Sequence, residues 1–526
     1  MKRYTLFLFL LLSAFACRLS AQKLQSLTTA TDKLTNTLLL IERLYVDTVN
    51  VEKLAETGII AILKELDPHS SYATAKEAKA VTENFAGSFE GVGIQFNMVE
   101  DTLLVVQTIV KGPSEKAGIV AGDRIVSVDG ETIAGVKISR EDIMSKLRGK
   151  KGTVVKLGVV RRSVKDTLFF NVVRDKIPLH TIYAKHMMTP TIGYIRIESF
   201  GENTYNEFMD AVQQLEQQGM QRLILDLQDN GGGVLQAAAQ IANEFLVQGD
   251  LIVYTEGRSM KRQTYTATRS GRLRDMPVTV LINEFSASAS EIVAGALQDQ
   301  DRGTIVGRRS FGKGLVQRII SFKDGSHIRL TMAHYYTPSG RCIQKPYTKG
   351  DIKSYALELD ERYKHGELTN ADSIHFADSL RYYTLRQHRP VYGGGGIMPD
   401  VFVPLDTMRY TSFHRKLAAK NIVLENVLKY IDRNRTKLKK QYPVFDTFRS
   451  SFTVPQTLTD DIVRIGKEQN ITPKDDEELQ RTIPALQRQL KALIARDLWD
   501  MNEYYIIDNE RNDIVQRALK EMMKQP

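Results

Sequence analysis

The segment Met276–Gln317 reads MPVTVLINEFSASASEIVAGALQDQDRGTIVGRRSFGKGLVQ. Within it, Val278–Asn283 is a β-branched, strongly apolar run, which predicts a strand covered on both faces. The small residues at 286–290 then open a helix with an apolar face, and Gly303–Gly307 is a second strand. A strand, a helix and a further strand in this order predict an α/β core.

Two residues of this segment are candidates for chemistry. The Ser288 hydroxyl stands at a strand-to-helix junction, beside unpaired N–H groups and the positive end of a helix dipole, which suits attack on a carbonyl. Lys313 lies in the apolar, glycine-flanked sequence FGKGLV. Burial there would favour the neutral amine, a possible general base for a serine. The structural alternative is that the Ser-Ala run caps a helix and the lysine occupies a solvated turn.

The order SASASEIVAGALQD, then GRRSFGKGLVQ, resembles the carboxyl-terminal processing proteases, the S41 serine peptidases. The resemblance implies a crotonase/ClpP-like α/β protease core without a metal or an organic cofactor. It also implies that Ser288, three residues before Glu291, is the nucleophile and that Lys313 is its base.

The third member of the site is less defined. The resemblance implies Gln317 as the residue that orients the lysine in some relatives and Asp299 in others, with Glu291 as a supporting residue. Arg308 stands where the family often has an acidic residue, which leaves the charge around Lys313 open.

A glycine-rich loop, QDNGGG at 228–233, follows the predicted strand Leu223–Leu227. Consecutive glycines let backbone N–H groups approach a ligand closely. The glycine spacing of dinucleotide sites and the Gly-Lys-Ser/Thr ending of phosphate loops are both missing from it. The resemblance implies an oxyanion hole made by the N–H groups of Gly232 and Ala289, with Gly231 as the neighbouring alternative. Relatives commonly have a proline in this loop, so the assignment could shift by one residue.

A unit of about ninety residues begins at GSFEGVGIQF, residues 87–96, and resembles a PDZ domain. Its predicted helices are Pro113–Ala117 and one that starts at Ser139. The resemblance implies that one loop receives the terminal carboxylate of a peptide and that two helix residues line the pocket for its last side chain. These residues are Gly91, Val92, Gly93 and Ile94 in the loop, and Ile143 and Leu147 on the helix. The predicted partners are protein or peptide substrates with free, apolar C-termini.

The N-terminus has the pattern of a secretory signal. Lys2 and Arg3 precede the apolar run Tyr4–Ala16, which is too short to span a bilayer. Cleavage after Ala21 would give an exported protein, periplasmic or in the cell envelope. A lipid anchor at Cys17 is the alternative, and loss of the leader would leave Cys342 without an intramolecular partner.

The predicted architecture is a multidomain α/β protein. It comprises a signal peptide at 1–21, an N-terminal helical region at 22–83, a PDZ domain at 84–175, a peptidase core at 176–405 with a surface insertion at about 346–390, and a C-terminal helical extension at 406–526. The family-like core ends near Leu405 and is expected to be complete there. The net charge of +10 is scattered and no nucleic-acid motif accompanies it, which argues against nucleic acid as a partner.

The predicted function is an exported Ser-Lys endopeptidase that acts near the C-termini of its substrates, with the PDZ domain recognising those termini and gating activity. An adaptor protein and a homo-oligomer are possible partners. Two alternatives remain: a hydrolase that uses a histidine, with His327 and His334 nearest in sequence, and a non-catalytic secreted PDZ scaffold.

Overall fold

The computed structural model describes residues 25–162, 164–407 and 409–524, which form two compact units. The predicted signal peptide and Cys17 lie outside these residues. In the part of the chain that is described, no helix combines the length and the apolar character needed to cross a bilayer.

The smaller unit is built from residues 25–75, 318–331 and 347–355. Two helices of this unit span 25–44 and Val51–Lys64, and a short strand spans Ser71–Ala73. The turn before the strand is fixed by Asp67, whose Oδ1 accepts hydrogen bonds from the N–H groups of His69 and Ser70. His69 Nε2 lies 2.8 Å from Tyr355 Oη, so this histidine is a packing residue of the small unit.

The predicted PDZ domain at 84–175, or PDZ module, belongs to the larger unit and begins at the end of the helix Ala75–Phe85. Its strands span Ser88–Gly91, Ile94–Val99, Thr102–Thr108, Arg124–Val128, Glu131–Thr132, Val154–Val160 and Leu168–Val173. Its helices span Pro113–Ala117 and Arg140–Leu147, and Ser139 caps the second. Asp175–Pro178 pairs with Ser88–Gly91 and closes the module. The strand Ile94–Val99 forms one edge of the main sheet, beside Thr102–Thr108.

A central sheet of six strands organises the rest of the larger unit. In spatial order the strands are Ile182–Met187, Ile192–Ile197, Arg222–Asp226, Val278–Ile282, Thr304–Gly307 and Val401–Phe402. The first pair is antiparallel and every later pair is parallel. Parallel strands require helices on both faces, and Val278–Ile282 is buried along its whole length, as its sequence predicts.

Alternation along the strands sends side chains to two hydrophobic cores. On one face, side chains such as Ile195, Leu225 and Val280 pack against three helices. These helices span Thr204–Gln217, Leu235–Asn243 and Ala289–Asp299. On the other face, Tyr194 and Leu281 pack against a helix from the far end of the chain, Asp513–Lys524.

A second sheet flanks this core. Its hairpin strands span Leu251–Gly257 and Met260–Thr266, and 334–336 of the strand His327–Tyr336 pair with the first of them. Leu315–Ser321 also pairs with His327–Tyr336. The predicted insertion contains the helix Ile352–Lys364, 3₁₀ turns at Ala371–Ser373 and Asp378–Leu380, and the strands Arg381–Tyr383 and Pro390–Tyr392. It is not confined to the surface, because Arg362, Leu368 and Val391 are buried.

The C-terminal region is helical. Its helices span Ser412–Ala419, Ile422–Gln441, Phe445–Ser451, Gln456–Glu468, Asp476–Leu498, Met501–Asn509 and Asp513–Lys524. Asp432 pairs with Arg124 and Arg162 of the PDZ module, at 3.1 and 2.7 Å. The last helix covers a face of the central sheet, so the core is not complete at Leu405, contrary to the expectation from sequence. No motif marked this helix as a core element, because its periodicity is that of any amphipathic helix.

Candidate active site

Ser288 occupies the junction between the buried strand Val278–Ile282 and the helix Ala289–Asp299. Its φ of +56° is unusual for a residue with a side chain and costs about 1–3 kcal/mol, which the surroundings must offset. Tyr335 Oη helps to hold it by donating to the Ser288 carbonyl at 3.1 Å. Ala289 is the first residue of the helix, and its N–H has no hydrogen-bond partner among the described residues.

Glu291 joins the serine to the loop that carries the lysine. Its Oε2 accepts hydrogen bonds from Ser288 N–H at 2.7 Å and from Lys313 N–H at 2.9 Å. Its Oε1 accepts from Gly312 N–H at 2.7 Å and from Ser310 Oγ at 2.5 Å. One carboxylate therefore fixes the backbones of both predicted catalytic residues, a role more specific than the support expected from sequence.

The Glu291 carboxyl is fully buried. Burial raises its pKa, and the hydrogen bonds from Ser310, Lys313, Gly312 and Ser288 act against that rise. All four groups donate, so the site is complementary to an ionised carboxylate, whose two oxygens only accept.

Lys313 is half-buried, and its Nζ donates to Gln317 Oε1 at 3.2 Å. The two residues are four positions apart, but they do not meet on a helix, because Leu315–Ser321 is a strand. Of the two candidates for the third site residue, the structure therefore brings Gln317 to the lysine.

Asp299, the other candidate, is engaged elsewhere. Its Oδ1 pairs with Arg341 at 2.7 Å, and its Oδ2 accepts from the Oγ and N–H of Ser339, at 2.7 and 3.0 Å. It is the last residue of the helix that Ser288 caps, so the whole length of that helix separates it from the serine. In this structure Asp299 therefore anchors the loop Thr337–Arg341, whereas Gln317 is the candidate whose side chain is bonded to Lys313.

The glycine loop lies against the serine. A Cβ at Gly232 would come within 2.7 Å of Ser288 Cβ, and Gly232 has a φ of +99°, so no other residue fits. Its N–H, however, donates to Asn230 Oδ1 at 2.8 Å. The residue predicted as an oxyanion donor therefore lies beside Ser288, and its N–H is occupied by Asn230 in this conformation. The N–H of Gly231 has no hydrogen-bond partner within the described chain.

Asn230 holds the glycine loop in place and was missed in the sequence. It is completely buried, its Nδ2 donates to Ile197 O at 2.8 Å, and its carbonyl accepts from Ala287 N–H and from Ser290 Oγ. The sequence does contain a signal for this role, an asparagine directly before three glycines. Asn side chains commonly form hydrogen bonds with the backbone of the residue two positions later.

Each loop rests on a buried arginine. Behind the glycine loop, Arg196 donates to Gln228 O at 2.8 Å, pairs with Asp226 at 2.9 Å, and lies 4.6 Å from the ring centroid of Tyr505 in the C-terminal region. Behind the lysine loop, Arg362 of the insertion donates to the carbonyls of Arg309 and Ser310, at 2.8 and 3.2 Å. Burial lowers the pKa of Arg362 to about 10, which still leaves it charged near neutrality.

Other charged or polar groups near the lysine loop have partners of their own. Arg308, where the family often has an acid, pairs with Glu284 at 2.7 Å, so its charge is compensated locally. Lys345, buried beside Gly312, pairs with Glu358 at 2.9 Å. His334 Nδ1 lies 3.8 Å from Cys342 Sγ, while His327 belongs to the smaller unit. Within the described residues, no three His, Cys, Asp or Glu side chains are grouped so that they could hold a metal ion.

The PDZ module contains a groove of about 330 Å³ between its edge strand and the helix Arg140–Leu147. The predicted residues Gly91, Val92, Gly93, Ile94 and Leu147 all line it. Ile143 does not: its side chain is fully buried in the core of the module. Met144, one residue on, lines the groove instead.

Three segments of the chain match known protein families. Residues 191–354 match Peptidase family S41, residues 91–172 match the PDZ domain, and residues 413–500 match a family of unknown function, DUF8443. The carboxy-terminal processing protease CtpB of Bacillus subtilis (strain 168) is 35% identical over 342 residues, 64% of this chain and 70% of its own. The carboxy-terminal-processing protease of Bartonella bacilliformis is 38% identical over 367 residues, 69% of this chain and 81% of its own. A solved structure of a photosystem II D1 C-terminal processing protease covers 72% of this chain and 93% of its own, with 26% identity and a TM-score of 0.34.

Proposed function

The chain belongs to peptidase family S41, the carboxy-terminal processing proteases, and on this premise we propose that it cuts proteins near their C-termini with a serine and a lysine. It is a serine-type peptidase. Ser288 is the nucleophile, Lys313 its general base, and Gln317 the residue that directs the lysine amine. The observation that carries the proposal is the Glu291 carboxylate, whose Oε2 accepts from the backbones of Ser288 and Lys313 together.

The chemistry proceeds in two halves. Ser288 Oγ attacks the scissile carbonyl while Lys313 Nζ takes its proton, and the C–N bond then breaks as the lysine gives that proton to the leaving amine. Water attacks the resulting ester, Lys313 again accepts and returns a proton, and the new C-terminal carboxylate leaves. Lys313 must be neutral to accept a proton, so activity rises with pH as its amine deprotonates.

The negative oxygen of each tetrahedral intermediate requires donors. Ala289 N–H, at the start of the helix, supplies one. Gly232 N–H supplies the second when the substrate oxygen takes the position of Asn230 Oδ1, its present acceptor at 2.8 Å. Because this exchange replaces one hydrogen bond with another, it leaves no buried donor unsatisfied.

The PDZ groove recognises the free C-terminus of the substrate. The glycine-rich loop of the groove, the carboxylate loop, suits the terminal carboxylate of a substrate, and the apolar lining suits an apolar side chain on the same last residue. Occupation of the groove then recruits the substrate and releases a gate, because the bond that is cut lies elsewhere in the substrate. We further propose that the N-terminal signal exports the enzyme to the periplasm or cell envelope, and that the exposed leucines of the helix at 25–44, Leu34 and Leu44 among them, mediate self-association.

The deciding experiment uses a peptide with an apolar C-terminus, in free and amidated forms. Wild-type enzyme should cleave the free form faster, and Ser288→Ala and Lys313→Ala should both lose activity, the latter by about 10²- to 10⁴-fold. Near-normal turnover by folded Lys313→Ala would rule out the lysine mechanism, and equal cleavage of both peptides would remove terminal recognition from the PDZ module.

Lys345→Gln is the matched control for the lysine variant. Lys345 is a buried lysine beside the same loop, and its amine pairs with Glu358, whereas the amine of half-buried Lys313 donates to Gln317. Glu358 keeps a second partner in this variant, because Arg309 lies 3.6 Å from it. The folded variant should therefore retain most of the wild-type turnover, which would tie the loss in Lys313→Ala to its amine and not to the removal of a buried charge.

A further inference from the structure

The PDZ groove has a guanidinium near each end, and the two differ in how their charge is compensated. Arg148 pairs with Glu83 at 2.7 Å and lies 4.8 Å from the ring centroid of Phe89. Arg140, the first residue of the groove helix, is exposed and lies 5.0 Å from the ring centroid of Phe96. Among the described residues, Arg140 forms no ion pair.

The direction of a bound peptide follows from the groove itself. The carboxylate loop immediately precedes the edge strand Ile94–Val99, so a terminus bound there places the upstream residues alongside Gln95, Phe96 and Asn97. The peptide therefore runs antiparallel to the edge strand and extends the sheet.

The side chain that meets Arg140 follows from the period of a strand. Ile94 and Phe96 both pack toward the core of the module, on the side of the helix. In the added strand, alternate side chains face that same side: the last residue, opposite Ile94, and the third from the end, opposite Phe96. The helix is oriented to match, because Arg148, just past its end, lies close to Gly91 and its first residue Arg140 lies over Phe96.

From this geometry we propose that Arg140 selects substrates with Asp or Glu as the third residue from the C-terminus. The proposal rests on the C-terminal recognition described above and adds a second determinant to it. The last side chain enters the apolar part of the groove near Met144 and Leu147, and the acidic side chain two residues upstream pairs with the uncompensated guanidinium. Arg148 does not compete for this role, since Glu83 already neutralises it.

The test is direct binding to full-length Ser288→Ala, which prevents cleavage of the probe. Fluorescent peptides with the same apolar last residue should carry Glu, Gln or Lys at the third position from the end. We expect Glu to bind about threefold to tenfold more tightly than Gln, since the pair is solvent-accessible, and the advantage should shrink at high salt. Arg140→Gln should abolish the difference, and Arg140→Glu should favour the Lys peptide.

Lys146→Gln is the matched control. Lys146 is on the same helix and carries the same charge, but it pairs with Glu131 at 2.6 Å and does not line the groove. It should keep the full preference for Glu. Equal binding of the Glu and Gln peptides by the Arg140-containing protein, or a preference that survives in Arg140→Gln, would overturn the proposal. An amidated Glu peptide distinguishes failure of this proposal from failure of C-terminal recognition. If the free and amidated forms bind alike, C-terminal recognition fails as well. If only the free form binds, the failure is confined to the role of Arg140.

Discussion

The two loops that meet at Ser288 are held by side chains of different kinds. Neutral Asn230 organises the glycine loop, whereas the buried carboxylate of Glu291 organises the lysine loop. Behind them, Arg196 connects the glycine loop to the C-terminal region and Arg362 connects the lysine loop to the insertion. The site therefore depends on two segments outside the sequence motifs, the C-terminal region and the insertion. Of the two side chains that organise the loops, Glu291 can titrate and Asn230 cannot.

The largest expected effect comes from removing the C-terminal helix that covers the sheet on the Arg196 side of the comparison, where Tyr505 also packs. A chain that lacks Asp513–Lys524 exposes Tyr194, Leu281 and the rest of that face of the sheet. Each fully buried apolar side chain contributes about 1.5–3 kcal/mol, so the loss of a whole core exceeds the stability of an ordinary domain. We expect no cooperative thermal unfolding and no reaction with an active-site serine probe. A truncated chain that reacts normally would show that the site does not need this helix as a cover for the sheet.

A pair of point variants on the same helix provides the control. Val515 is fully buried and Lys520 is exposed. Val515→Asp places an unpaired charge in the core and should lower the melting temperature by many degrees, while Lys520→Asp should have little effect.

The second effect tests the lysine-loop side. In Glu291→Gln an NH₂ group replaces one of the two oxygens, and each oxygen accepts from two donors. Two of the four donors therefore lose their acceptor, and each buried donor left without one costs about 1–3 kcal/mol of stability. We expect kcat to fall about a hundredfold while KM changes little, because the change misplaces the reacting groups and leaves the PDZ groove intact. A variant with unchanged kcat would show that the carboxylate is not needed to position the lysine loop.

The pH dependence of stability has a definite sign. Because burial raises the pKa of Glu291 above its ordinary value of 4.5, the folded state binds this proton more tightly than the unfolded state. The stability that Glu291 contributes is therefore fully present below its ordinary pKa, and it decreases as the pH rises through the raised pKa of the folded state. The difference in unfolding free energy between wild type and Glu291→Gln, measured by denaturant titration from pH 4 upward, should fall over that window and then level off. A flat difference would contradict the raised pKa.

The third effect concerns the neutral side. Asn230→Ala removes the bonds to Ile197 O and Gly232 N–H and should lower kcat about tenfold to thirtyfold, because the glycine loop beside Ser288 is then held less firmly. Since the amide side chain does not titrate, its stability loss relative to wild type should be the same at every pH. A pH-dependent loss comparable to that of Glu291→Gln would remove the contrast between the loops.

The smallest effects separate the two candidates for the third site residue. Gln317→Ala should lower kcat about tenfold, because the amine of Lys313 loses the acceptor that directs it. Asp299→Asn should destabilise the protein through its buried pair with Arg341 but leave kcat per folded molecule within about twofold. The opposite order of kcat effects would return Asp299 to the site.

The sequence predicted the elements whose signals are local. The strand at 278, the helix after Ser288, the helix Pro113–Ala117 and the cap at Ser139 follow from β-branched runs, small residues and capping patterns. Tertiary partners were less accessible. Nothing local distinguishes Asp299, bonded to Ser339 and Arg341, from a residue beside the lysine. The sequence also does not show that Ile143 is buried in the core while its neighbour Met144 lines the groove. Arg362 resembles a solvated charge until the carbonyls of Arg309 and Ser310 are located.

The position of Asp513–Lys524 also determines when the enzyme can first act. The ribosome adds this helix after Ser288, Lys313 and every other residue of the site. Until it has been made, the parallel sheet lacks the cover on one face that such sheets require. Nascent chains arrested before Asp513 should be digested readily by added protease and fail to react with a serine probe, whereas released chains that include Asp513–Lys524 should resist and react. The order of synthesis therefore leaves the sheet that carries Ser288 incomplete until this last helix has been made.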